Sequence, residues 1–128
     1  MKIDHTALYC KDLEGMKHFF EAYFLAESCS LYHNPRTGLR TYILTFSGGD
    51  SRLEIMTRPE VAGDNENPYR AGFIHLSFSA GSREAVDSLT SRLDADGYRT
   101  LSGPRITGDG YYESCVRGPE GILLEITV

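Results

Sequence analysis

No run of lysine or arginine occurs in this chain of 128 residues, whose 13 basic side chains are outnumbered by 18 acidic ones for a formal net charge of −5. That balance disfavours a nucleic-acid or anionic-membrane surface and favours a small-molecule ligand. Cysteine is scarce: Cys10, Cys29 and Cys115 are odd in number and lack the Cys-x-x-Cys spacing of a zinc or redox motif. They read as reduced thiols of a cytoplasmic protein, serving as small apolar residues. There is also no basic-then-apolar leader and no run of 18 apolar residues, so neither export nor membrane insertion is expected. What remains, with 41% hydrophobic and 24% charged residues, suits one ordinary globular unit with its own core.

An internal repeat dominates what is present. "IDHTALYCKDLEGMKHFFEAYF" at 3–24 aligns with "FIHLSFSAGSREAVDSLTSRL" from Phe73, each giving a strand with a histidine, a turn and a helix. Later, "SRLEIMTR" at 51–58 is nearly repeated by "GILLEITV" at 121–128. His5 and His75 are 70 residues apart, Glu54 and Glu125 are 71 apart, and the His-to-Glu spacings within the halves are 49 and 50.

Each half reads as strand, helix and three further strands. In the first, Ile3 to Tyr9 is strand-like, Asp12 is a helix N-cap, and Leu13, Met16, Phe20, Tyr23 and Phe24 form an apolar stripe. Strands near 28–33, 39–46 and 51–57 follow, the last two joined by "SGGD". In the second, Ser82 caps a helix with Val86, Leu89 and Leu93 inward, and Gly97 ends it. Strands are expected near 98–102, 111–117 and 122–127, with "GPEG" at 118–121 as a turn. The segment 59–71, polar and holding Pro59 and Pro68, reads as the linker between modules 1–58 and 72–128 of a single domain spanning 1–128.

Side chains alternate faces along a strand, so Glu54 points away from Leu53 and Ile55, and Glu125 away from Leu124 and Ile126. His75 likewise opposes Ile74 and Leu76; His5 fits less cleanly between Asp4 and Thr6. If both second faces curve around one cavity, two imidazoles and two carboxylates meet there. A carboxylate in a partly dry cleft is costly unless paired or bound to a cation. Two His and two Glu suit the first shell of a divalent metal with two positions left open. The bland reading of any one of them is a solvent-facing Glu or a hydrogen-bonded His; the matched positions in two repeats distinguish the four as a set. His18 and His33 read as surface residues, with contact to a substrate as the alternative for His33.

At these residues the chain resembles the vicinal oxygen chelate superfamily, and within it the glyoxalase I type, through "IDHTAL", "LEIM", "GFIHLSF" and "GPEGILLEI". The resemblance implies an α+β fold of tandem βαβββ modules forming an open, curved mixed sheet around a metal cavity, with helices outside. It implies the metal ligands His5, Glu54, His75 and Glu125. Related dioxygenases and fosfomycin-modifying transferases generally lack a ligand where Glu54 stands, and methylmalonyl-CoA epimerases usually have Gln there, so Glu54 leans toward isomerisation. The activity implied is a metal-dependent lyase or isomerase acting on a thiohemiacetal or similar α-oxo adduct. Such a reaction needs a base to move a C–H proton and a Lewis acid for the enediolate. By similarity Glu125 is the first choice of base and Glu54 the second.

The departures from glyoxalase I bear on the substrate. Its bacterial members typically carry Arg and Asn where this chain has Tyr9 and Arg58, so the glutathione grip is changed and the low-molecular-weight thiol is open. Tyr9, Arg58 and Tyr112 are candidate substrate contacts, with Tyr111, Arg40 and Tyr42 behind them. Ni or Co is the favoured metal by resemblance, with Zn or Mn as alternatives. The resemblance also implies a homodimer in which His5 and Glu54 of one chain meet the partner's His75 and the partner's Glu125. Two other functions stay open: a thiol transferase of the fosfomycin-resistance type, and a non-catalytic drug-binding protein of the bleomycin-resistance type.

Overall fold

The computed structural model describes residues 1–63 and 71–128, which hold two helices and nine strands. They belong to two compact units, Met1–Gly63 and Asp64–Val128. Each unit is a helix lying on one face of a mixed sheet, which is the α+β architecture expected. Pro68 and most of the expected linker, residues 64–70, lie outside the described residues.

The first unit runs β1 (Thr6–Tyr9), α1 (Leu13–Phe24), β2 (Glu27–Ser28), β3 (Tyr32–Asn34), β4 (Leu39–Thr45) and β5 (Arg52–Thr57). Its strand order is β1-β5-β4-β2, with β3 also on β4, and β1 runs parallel to β5 while the other pairs are antiparallel. The single strand expected near 28–33 is thus two pieces. Three residues, Cys29 to Leu31, face only Tyr42 and Ile43 across the pair, so the chain bulges. Cys29 holds the bulge through both ends of its backbone neighbour: its N–H donates to the Ile43 carbonyl at 3.0 Å and its Sγ accepts the Ile43 N–H at 3.1 Å.

Asp12 caps α1 as expected, accepting the Gly15 N–H at 2.9 Å. The buried stripe is Leu13, Met16, Phe19 and Phe20. Phe19 was not in the expected stripe, yet it centres an aromatic cluster, 5.4 Å from Phe20, 5.1 Å from Tyr23 and 5.7 Å from Phe24 between ring centroids. The apolar alternation of β5 supplies the other side: Leu53 and Ile55 are buried, as is Leu44 from β4. This fixes which face of the sheet meets the helix, and therefore which face Glu54 takes.

The second unit runs β6 (His75–Ser79), α2 (Arg83–Ala95), β7 (Arg99–Ile106), β8 (Tyr112–Arg117), a 3₁₀ turn (Pro119–Gly121) and β9 (Leu123–Thr127), with strand order β6-β9-β8-β7. Ser82 caps α2 by accepting the Ala85 N–H at 3.1 Å, and Gly97 ends it at φ +93° while the Tyr98 N–H turns back to the Leu93 carbonyl. Val86 and Leu93 are buried, but Thr90 rather than Leu89 completes the face. Its hydroxyl is tolerated there because it meets the Val86 carbonyl at 2.7 Å and Ser114 Oγ at 2.6 Å. β7 is longer than expected and is bulged between Thr100 and Ser102 and between Ser102 and Arg105. Gly103 sits in the second bulge at φ +80°, where a Cβ would stand 2.4 Å from the Glu113 carbonyl oxygen, so no side chain fits.

Candidate metal centre

The register repeats between the two units. Ala7, two residues after His5, pairs with Glu54; Ser77, two residues after His75, pairs with Glu125. Both glutamates point away from the helix-covered face, and each side chain is 21% exposed, against 40% for His5 and 37% for His75. In the first unit His5 Nε2 stands 3.5 Å from Glu54 Oε2; in the second His75 Nε2 stands 3.8 Å from Glu125 Oε2. Both separations exceed a normal N–H···O hydrogen bond, so each pair presents two donor atoms facing each other unbonded.

The remaining carboxylate oxygen is held in each case. Thr41 donates its hydroxyl to Glu54 Oε1 at 2.9 Å, and Ser77 donates to Glu125 Oε1 at 2.6 Å. Oε2 is thereby aimed at the imidazole. His5 is not in the strand as expected but just before it, and the awkward neighbour explains why it is held. Asp4 Oδ2 accepts from His5 Nδ1 at 2.9 Å and also from Arg52 Nη2, and these two bonds, His5 first, hold the Asp4 carboxyl below its usual range. A proton on Nδ1 leaves Nε2 as the lone-pair atom, the state a metal ligand requires. Neutral imidazole nitrogen plus a carboxylate oxygen is a donor set that fits a divalent transition metal. Among the described residues no group of three or more His, Cys, Asp or Glu side chains is placed to hold a metal, so each unit carries a pair of donors.

The other candidate contacts divide by strand parity. Tyr9 shares the Glu54 face through its pairing with Met56, and it is exposed. Arg58 directly follows β5, but Glu60 already occupies its fork, with Nε–Oε2 at 2.7 Å and Nη2–Oε1 at 3.0 Å. Glu60 first, and then Tyr9, raise the guanidinium above its ordinary range. Tyr112 lies on the opposite face from Glu125, because it alternates with Glu113 along β8. Its hydroxyl donates to Asp87 Oδ1 on α2 at 2.7 Å, and the Arg83 guanidinium lies 4.8 Å from its ring centre. Tyr42 is buried under α1, donating to Glu14 Oε1 at 2.9 Å. Arg40 and His33 pair with each other in register and share the Tyr42 face. Tyr112 is thus placed away from Glu125, and Tyr42, Arg40 and His33 away from Glu54.

Three neighbours of Glu125 went unnoticed in the sequence. Cys115 is its direct partner across β8 and β9, and Glu113 and Arg117 flank that position on the same face. Burial, then Glu125, raises both the Cys115 thiol and the Glu113 carboxyl. Alternation from Ser114 and Val116 would have revealed all three.

A family model described as Glyoxalase/Bleomycin resistance protein/Dioxygenase superfamily matches residues 2–126. The chain belongs to this superfamily. A relative at 32% identity over 131 residues, covering 95% of this chain and 94% of its own length, is the uncharacterized protein YqjT of Bacillus subtilis (strain 168). Solved structures share the superfamily fold. A glyoxalase family protein from Enterococcus faecalis matches with a TM-score of 0.79 at 23% identity, over 99% of this chain and 97% of that one. The fosfomycin resistance protein FosX from Listeria monocytogenes, solved with Mn(II) and dihydroxypropylphosphonic acid, matches with a TM-score of 0.76 at 21% identity, over 98% and 90%. No helix among the described residues is long and apolar enough to cross a membrane.

Proposed function

We propose that the protein is a metal-dependent lyase or isomerase of the glyoxalase I type, moving a proton between adjacent carbons of a thiohemiacetal or similar α-oxo adduct. The observation that carries this reading is the repeated His–Glu pair, set at the same register in both units with Nε2 facing Oε2. His5, Glu54, His75 and Glu125 are the proposed ligands of a divalent ion, Ni or Co before Zn or Mn. Since each unit offers two donors, the proposed centre draws one pair from each chain of a homodimer.

When bound, the ion supplies Lewis-acid stabilisation of negative charge on the substrate oxygens. Glu125 does the proton work. Its Oε1 is fixed by Ser77, while its Oε2 makes no hydrogen bond with a described residue and is available to take a proton from one carbon and return it to the next. His5 and His75 would hold the ion through their Nε2 atoms, and Asp4 keeps the His5 ring oriented.

The experiment is the rate of isomerisation from methylglyoxal with a panel of thiols, glutathione included, on apoprotein refilled with Ni, Co, Zn or Mn. Metal-dependent turnover is expected; absence of turnover with every pair, despite tight metal binding, would remove this reaction. The likeness to FosX, solved with a dihydroxypropylphosphonic acid, supports a second reading, modification of a fosfomycin-type antibiotic, for which turnover of fosfomycin is the discriminating result and its dependence on a supplied thiol tells thiol transfer from addition of water.

A further inference from the structure

The face of the second sheet that carries His75 and Glu125 can be read as a grid from its registers. One row crosses Arg99, Arg117, Leu123 and His75; the next crosses Ser102, Cys115, Glu125 and Ser77. Arg99 and Arg117 are therefore direct cross-strand neighbours, with Cβ atoms about 5 Å apart, and like charges so placed repel. Neither makes an ion pair or side-chain hydrogen bond with a described residue. The matching row of the first sheet runs through Glu27, Thr45 and Arg52, and its arginine is bound by Asp4. In that row Arg52 matches Leu123, while Thr45 and Glu27 stand where the second unit has Arg117 and Arg99, so the cross-strand pair of like charges has no counterpart in the first unit, within a chain whose net charge is −5. Arg117 is also the diagonal neighbour of Glu125, at about 7–8 Å between strand positions, within reach of a ligand resting on that carboxylate.

We propose that Arg99 and Arg117 form an oxyanion-binding pair that receives the carboxylate, phosphate or phosphonate of a small substrate held beside His75 and Glu125. An anion between the two guanidinium forks removes the repulsion and satisfies planar donors built for such groups. The substrate class is then a small anionic molecule. The part about substrate rests on the enzymatic reading above; the anion site itself does not.

The test uses the full-length, metal-free protein. Methylphosphonate and acetate are titrated at constant ionic strength with chloride as the compensating ion, and amide shifts at positions 99 and 117 are followed. Saturable binding is expected, weakened at least fivefold by Arg117→Gln and by Arg99→Gln, and unchanged by Arg83→Gln, whose guanidinium lies over the Tyr112 ring on the opposite face of the same sheet. Binding by Arg117→Gln equal to the unmodified protein, or no saturation beyond the chloride response, overturns the pair. If Arg117→Gln fails to fold, Arg99→Gln carries the same comparison. On metal-loaded protein with an uncharged thiol such as 2-mercaptoethanol, Arg117→Gln should lower kcat/KM for the thiohemiacetal of 4,5-dioxopentanoate, an α-ketoaldehyde with a distal carboxylate, at least tenfold while sparing that of neutral methylglyoxal. Equal losses on both overturn the substrate class. Anion binding without any turnover would instead sink the lyase reading and leave the pair standing.

Discussion

Glu54 and Glu125 hold the same register in their sheets but take their hydroxyl partners from opposite sides. Thr41 reaches Glu54 from the antiparallel strand β4, whereas Ser77 reaches Glu125 from the parallel strand β6. The difference follows from what stands at the equivalent places: Ala7 has no hydroxyl to offer Glu54, and Glu113 faces Glu125 where Thr41 would be. A repeat that keeps its glutamate and changes its support gives the two carboxylates unequal surroundings, and the proposed division of roles between them is testable.

Replacing Glu125 by Gln keeps the shape and removes the proposed base. Turnover of the proposed substrate should fall by about 10²–10⁴-fold, the usual worth of a positioned acid–base group, with the circular dichroism spectrum unchanged. Near-normal turnover would take Glu125 out of the mechanism. Glu54→Gln should instead act mainly on metal affinity.

The hydroxyls offer a finer comparison. Ser77→Ala frees Glu125 Oε1 and should lower kcat by about 10-fold or more, while Thr41→Val, which frees Glu54, should raise the metal dissociation constant with a smaller effect on kcat. Metal titration and steady-state kinetics on the two variants check this. The opposite pattern would exchange the roles of the two glutamates.

Asp4 anchors the His5 ring through Nδ1 and is itself tied by Arg52. Asp4→Asn should weaken metal binding by about 10–100-fold, as loss of a partner to a ligating histidine does, with little change in thermal stability. Competition with a chromophoric chelator measures it. His75 has no such carboxylate among the described residues, so the first unit should show the larger dependence on its supporting shell.

How far the site could be read from the sequence depends on what sets each position. Glu54, His75 and Glu125 were legible because strict apolar alternation in β5, β6 and β9 fixes the face of every residue between. The face of Tyr112 was harder to read for the same reason turned round. A Gly-rich approach conceals where β8 begins, and a slip of one residue moves a side chain to the other face. Buried Ser114, bonded to Thr90 of α2, is what sets the parity. Asp4 looked like a defect in a strand pattern, because pattern reasoning cannot see that β1 begins at Thr6 and leaves the preceding segment free to fold against Arg52. The split of the expected strand near 28–33 was hidden too, since a bulge depends on the partner strand's count.

Stability should depend on acid through the back of the first sheet. Lys17, then Ser28, hold the Glu21 carboxyl below its usual range, tying α1 to β2. A carboxyl depressed in the folded state contributes above its unfolded pKa and loses that contribution as pH falls through the folded value. Glu21→Gln should therefore cost about 0.5 kcal/mol at pH 7, typical of such helical pairs. The difference from the unmodified protein should close in urea titrations well below pH 4. A gap that persists unchanged at low pH would mean that the ion pair does not carry it.

Shared sites can be tested without a structure of the assembly. If each centre joins the first unit of one chain to the second unit of its partner, Glu54→Ala and Glu125→Ala chains are each inactive alone. Mixed dimers place both lesions in one centre and leave the other whole. Random reassortment makes about half of the dimers mixed, each with one of two centres intact, so an equimolar mixture refolded together should regain about a quarter of the native rate. Centres built within single chains would regain nothing, because every chain would still carry its own lesion.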